Sequence, residues 1–182
     1  MVANIIVLGI GIAAMFLFST GTISVTTSVL AATVNCNLAV QECIGTNSAD
    51  TMFVSNLKGG AGAYFVDPKG GDDTFVANVE VGKVDPGISG FISLASGGND
   101  KISVKSTEFF STTEFYGGDG SDKITYSGAK GVKLFQAEFE NTPDGDKDTL
   151  NCGNALDSTA FISLEDGDVA VNCETVKTQP NP

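Results

Sequence analysis

The sequence predicts an all-β chain wound as a parallel β-solenoid of about five coils. Three observations predict it: a Gly/Asp turn unit recurs along the middle of the chain, an alternating apolar strand follows each unit, and helix signals are nearly absent after Ala32.

The clearest turn unit is Gly117-Gly118-Asp119-Gly120-Ser121-Asp122-Lys123-Ile124-Thr125, which reads G-G-x-G-x-D-x-U-x with U a large apolar residue. Looser copies keep the Asp-x-apolar end: Gly70 to Phe75, Gly97 to Ile102, Asp144 to Leu150 and, more faintly, Gly45 to Met52. Their aspartates fall at 50, 73, 100, 122 and 148, with gaps of 23, 27, 22 and 26 residues. A period of this length suits one coil of a solenoid.

Each aspartate is followed by a run with one apolar residue in two, as in Phe75, Ala77, Val79 or Ile102, Val104. Alternation of that kind marks a strand with one buried face. A second short strand precedes the next glycine pair at Phe91 to Leu94, Glu114 to Tyr116 and Val132 to Phe135. An antiparallel sandwich would also supply many short strands, but it gives no reason for one aspartate per period.

The ends differ from the middle. Ile5 to Phe18 is an apolar run of about 14 residues, short of the roughly 20 that span a bilayer. Small residues follow at Ser28 to Ala32, of the kind signal peptidases accept, and every charged side chain lies after Ala32. Residues 1–32 are therefore expected to be a signal peptide, with an uncleaved anchor as the alternative. Residues 33–177 then form the repeat domain and 178–182 a polar tail. Membrane contact is expected only through residues 5–30, and only if that segment is retained.

Export makes the four cysteines readable as disulfides. Three pairings are possible. Two cysteines near each end of the exported chain favour Cys36 with Cys43 and Cys152 with Cys173, as staples on capping loops. Zinc is disfavoured, because there is no C-x-x-C and no histidine.

Charge narrows the function. Ten lysines, no arginine and 22 acidic residues give a net charge of −12. That balance argues against a nucleic-acid partner and fits a cation-binding surface. Carboxylates on successive coils would stand about 4.8 Å apart, repelling by about 0.9 kcal/mol in water and about 3.5 kcal/mol at an effective dielectric of 20. A shared divalent ion would reverse the sign. Calcium takes about six to eight oxygens, which two stacked turns can supply where one cannot.

These turn units resemble the calcium-binding nonapeptide repeat of the RTX (haemolysin-type) family, over roughly Gly45 to Asp157. The resemblance implies calcium held between neighbouring turns by loop carbonyls and aspartate carboxylates. It implies as ligands Gly117, Gly118, Asp119, Gly120 and Asp122, then Asp100, Asp73 and Asp148. Family repeats run in tandem, two per coil; here there is about one per coil, so fewer sites are expected. The segment from Asp148 through Cys152 to Cys173 also looks like the Cys-flanked end of some secreted repeat proteins.

The functional expectation is a calcium-binding structural module, secreted or on the cell surface, with envelope or matrix components as partners. The alternative is an adhesion module binding a glycan or protein, with Phe109, Phe110, Phe115 and Tyr116 as the densest aromatic cluster. A polysaccharide-active enzyme is least expected, because no acid–base pair stands out.

Overall fold

The computed structural model describes residues 30–39, 41–80, 82–107, 110–128, 130–136 and 145–178. Most of the expected signal segment lies outside the described residues. Among those described, no helix is long and apolar enough to cross a membrane.

The chain is a parallel β-solenoid. Its first sheet contains β1 (Thr33–Asn35), β3 (Thr51–Val54), β5 (Thr74–Val79), β7 (Lys101–Ser106), β9 (Lys123–Gly128), β11 (Thr149–Asn151) and β13 (Val169–Val171). The second contains β2 (Glu42–Ile44), β4 (Gly62–Gly70), β6 (Ile88–Gly97), β8 (Thr112–Tyr116), β10 (Lys133–Phe135), β12 (Thr159–Ile162) and β14 (Thr175–Thr178). Odd and even strands separate because the chain alternates between two walls as it winds. Each strand pairs in parallel with the strand two places on, so repeated positions stack into rows.

The inward rows form the core. Val34, Met52, Phe75, Ile102, Ile124, Leu150 and Ala170 make one row of the first sheet. On the second sheet, Cys43, Val66, Ser93, Phe115, Leu134, Ala160 and Val176 stack in the same way. Phe91 sits between the walls, its ring meeting Tyr64, Phe75 and Phe115 edge-on at centroid distances of 6.3, 6.1 and 5.4 Å. Fully burying one such side chain contributes about 1.5–3 kcal/mol, so the alternating pattern fixes which face turns inward.

Both expected disulfides are present: Cys36–Cys43 closes the first coil and Cys152–Cys173 the last. Tyr64 Oη donates to the Cys36 carbonyl at 2.8 Å, tying the first staple to the core. Burial pushes that phenol up to about 12. Two disulfides are consistent with an oxidising, extracellular environment.

An aspartate column as the candidate functional site

Every strand of the first sheet from β3 onward is preceded by an aspartate, and the six side chains turn inward as one column. Asp50, Asp73, Asp100, Asp122, Asp148 and Asp168 are all buried, none more than 7% exposed. Five coils separate them.

The column is joined by a repeated hydrogen bond. The backbone N–H of Asp50 donates to Asp73 Oδ1 at 2.6 Å. Asp73 donates to Asp100, Asp100 to Asp122 and Asp122 to Asp148, each at 2.7 Å, and Asp148 to Asp168 at 2.9 Å. At the first coil Ala32 takes the donor's place, giving its N–H to Asp50 Oδ1 at 2.7 Å. The backbone carbonyls run the other way: Asp50 C=O accepts from Thr74, and Asp73 C=O from Lys101, both at 2.8 Å. From Asp50 to Asp148, each aspartate thus holds the coil before it with its side chain and the coil after it with its main chain.

The second carboxylate oxygen is treated differently along the column. At the two ends it closes a local turn: Asp50 Oδ2 accepts from Thr46 N–H, and Asp168 Oδ2 from Ser163 N–H at 2.8 Å. In the middle, Asp73 Oδ2 and Asp100 Oδ2 are enclosed with no hydrogen-bond partner. An unsatisfied buried acceptor is costly, and most of all when charged. Burial accordingly pushes the Asp73 carboxyl up to about 6 and that of Asp100 to about 7. The N–H bond each accepts pulls the other way, and neighbouring carboxylates (Asp50 and Asp72 for Asp73, Asp73 and Asp72 for Asp100) push further up. Asp168 is raised as well, again by burial first.

The glycines let the coils stack this closely. Gly98 and Gly120 hold φ of +117° and +116°, conformations that side chains with a Cβ rarely adopt. A Cβ on Gly98 would lie 2.2 Å from the Gly71 carbonyl oxygen, and one on Gly120 2.2 Å from that of Gly98. The carbonyl of one coil therefore occupies the space a side chain on the next would need.

The sequence-predicted ligands divide. Asp73, Asp100, Asp122 and Asp148 do come together in the column. Gly117 lies against it: a Cβ there would be 2.4 Å from Asp122 Oδ2. Gly118 sends its N–H to the Gln136 carbonyl at 3.0 Å. Asp119 is exposed on the loop, where its carbonyl accepts from Gly98 N–H at 2.9 Å. Sequence reasoning missed Asp168, whose Asp-x-Ala ending hides the repeat behind a small residue, and Ala32, which stands in the column without being acidic. Among the described residues no group of three or more His, Cys, Asp or Glu side chains is arranged to hold a metal ion. The column presents its carboxylates in single file, each with Oδ1 already engaged; the oxygens left for a cation in its middle are Asp73 Oδ2 and Asp100 Oδ2.

The expected aromatic ligand face is divided too. Phe115 is fully buried, Phe110 packs on the core at 6.0 Å from Phe91, and Phe109 lies outside the described residues. Tyr116 does face outward, but it stacks on Phe135, and Phe135 on Phe161, each at 4.4 Å and nearly coplanar. Lys177 covers the far side of Phe161 at 5.2 Å. These ring faces cover one another, and that leaves little open surface for a sugar ring.

No family model, curated protein or solved structure matches the chain.

Proposed function

We propose that the protein is a structural module of the extracellular space or cell surface, a stiff β-solenoid whose spine is the aspartate column. One observation carries this reading: the relay of N–H to Oδ1 hydrogen bonds runs unbroken from Ala32 to Asp168. The side chains that a ligand or substrate would need are spent on holding coil to coil. The raised carboxyls of Asp73 and Asp100, which could otherwise suggest acid–base work, are about as enclosed as core side chains. Envelope or matrix polymers are the partners such a rod would serve.

Calcium is a second reading, favoured by the enclosed Asp73 Oδ2 and Asp100 Oδ2 and by the RTX-like turn units. On this reading Asp73 and Asp100 supply hard oxygens and the adjacent turn carbonyls complete the shell. Its chemistry is charge neutralisation within the column, in place of protonation. Calorimetric and circular-dichroism titration of the purified protein with calcium separates the two. The spine alone predicts no binding heat and an unmoved melting temperature in millimolar calcium. A calcium-filled column predicts saturation at about 10⁻⁴–10⁻³ M, as suits an extracellular module, with a raised melting temperature.

A further inference from the structure

Charge is divided unevenly between the two walls. No strand of the first sheet contains Asp or Glu, although the chain carries 22 acidic residues and a net charge of −12. The second sheet does carry carboxylates, at Glu42, Asp67 and Glu114, and its cations are matched: Lys69 pairs with Asp67, Lys133 with Glu114, and Lys177 lies over the Phe161 ring. The first sheet holds three exposed lysines, Lys101 and Lys105 on β7 and Lys123 on β9. None of them belongs to an ion pair among the described residues. Asp100 and Asp122, which precede these strands, are buried in the column. Asp72 and Glu80 lie beyond the two ends of β5, and Asp72 Oδ1 is already engaged by Asn99.

The register brings the three lysines together. Lys101 stands opposite Lys123, Ser103 opposite Thr125 and Lys105 opposite Ser127. Neighbouring strands lie about 4.8 Å apart and four residues along a strand span about 13 Å, so the lysines mark a triangle with hydroxyls beside it. Like charges directly opposite each other are destabilising. Lys101 and Lys123 therefore sit where an anion from outside would relieve a repulsion that no side chain of the face relieves. Ser103, Thr125 and Ser127 add hydroxyls that can donate to sugar hydroxyls or accept from them. The surface is the outer face of a sheet, open along its length to an extended chain.

We propose that the outward face of β7 and β9 binds an acidic polysaccharide, one with carboxylates on its sugar units, which meet Lys101, Lys105 and Lys123. This partner rests on the reading of the protein as an extracellular structural module, and it gives the envelope or matrix polymer a chemistry. Scale favours a single sugar chain over a broad anionic surface. Charges are screened over about 8 Å at physiological salt, and packed walls lie about 10 Å apart. A chain on this face therefore feels its lysines more than the acids of the opposite wall. A bilayer or a nucleic-acid duplex is wide enough to meet the surrounding acidic surface as well, which repels it.

The test is calorimetric titration of the purified protein, without calcium, with polygalacturonate, neutral dextran and phosphatidylserine vesicles. Saturable binding to polygalacturonate alone is expected, weakening as salt is raised. Lys101→Gln, Lys105→Gln and Lys123→Gln together should weaken it about tenfold, since each exposed ion pair contributes modestly. The triple Lys58→Gln, Lys83→Gln and Lys177→Gln, which removes equal charge elsewhere, should bind as the wild type does. The first triple should also melt no lower than the wild type, because a repulsion has gone. Equal losses in the two triples, equal binding to dextran or to the vesicles, or no binding to polygalacturonate overturns the proposal. If polygalacturonate is ignored while Asp100→Ala still lowers the melting temperature, this face is wrong and the aspartate spine stands.

Discussion

Asp72 and Asp73 are neighbours in sequence and belong to two columns with opposite surroundings. Asp73 points inward, is 2% exposed, and holds the Asp50 N–H. Asp72 points to solvent, where its Oδ1 accepts from Asn99 N–H at 2.7 Å and Asn99 Nδ2 at 3.2 Å; Asn99 in turn accepts from Ser121 N–H at 3.0 Å. Both columns tie coil to coil by the same kind of bond. Only the inner one excludes water, so only there does each missing partner leave a buried group unsatisfied. Asp73 lies two residues before the inward Phe75, in phase with the buried face of β5, and Asp72 lies out of phase with it.

The difference between the columns can be tested by substitution. Asp100→Ala removes the acceptor for the buried Asp73 N–H and should cost about 2 kcal/mol. For a domain of this size that lowers the melting temperature by roughly 4–8 °C, read by calorimetry. Asp72→Ala removes bonds that water replaces, and the same measurement should find a loss of about 0.5 kcal/mol or less. Equal effects at the two positions would erase the distinction.

Much of this was legible in the sequence because a solenoid writes its period into the chain. The Asp-x-apolar ending predicted both the turn and the inward side chain after it, and Asp50, Asp73, Asp100, Asp122 and Asp148 do share one column. The disulfide pairing followed from the placing of cysteines at the two ends. What the residues could not reveal was the direction in which the carboxylates point. Asp119 and Asp122 both read as ligands, yet one side chain lies on the loop surface and the other in the spine, a choice made by backbone turns at Gly118 and Gly120. Asp168 escaped notice because Ala170 replaces the large apolar residue that marks other coils. The aromatic stack joins Tyr116, Phe135 and Phe161 from three coils, and no local window contains all three.

The column also sets a pH dependence. Asp73 and Asp100 hold their protons in the folded protein up to about 6 and 7, above the ordinary aspartate value of 3.8. The fold therefore binds more protons than the unfolded chain across that window. The stability these groups lend is complete below pH 3.8 and is lost as pH rises through 6 and 7.

The most direct measurement is the melting temperature of Asp100→Asn beside the wild type at pH 5 and pH 8, without calcium. Asparagine keeps the oxygen that accepts the Asp73 N–H and cannot ionise. A hydrogen-bonded spine predicts near-equal melting at pH 5 and a more stable variant at pH 8. A variant that melts well below the wild type at pH 8 would contradict it, because the charge itself would then be what the fold requires.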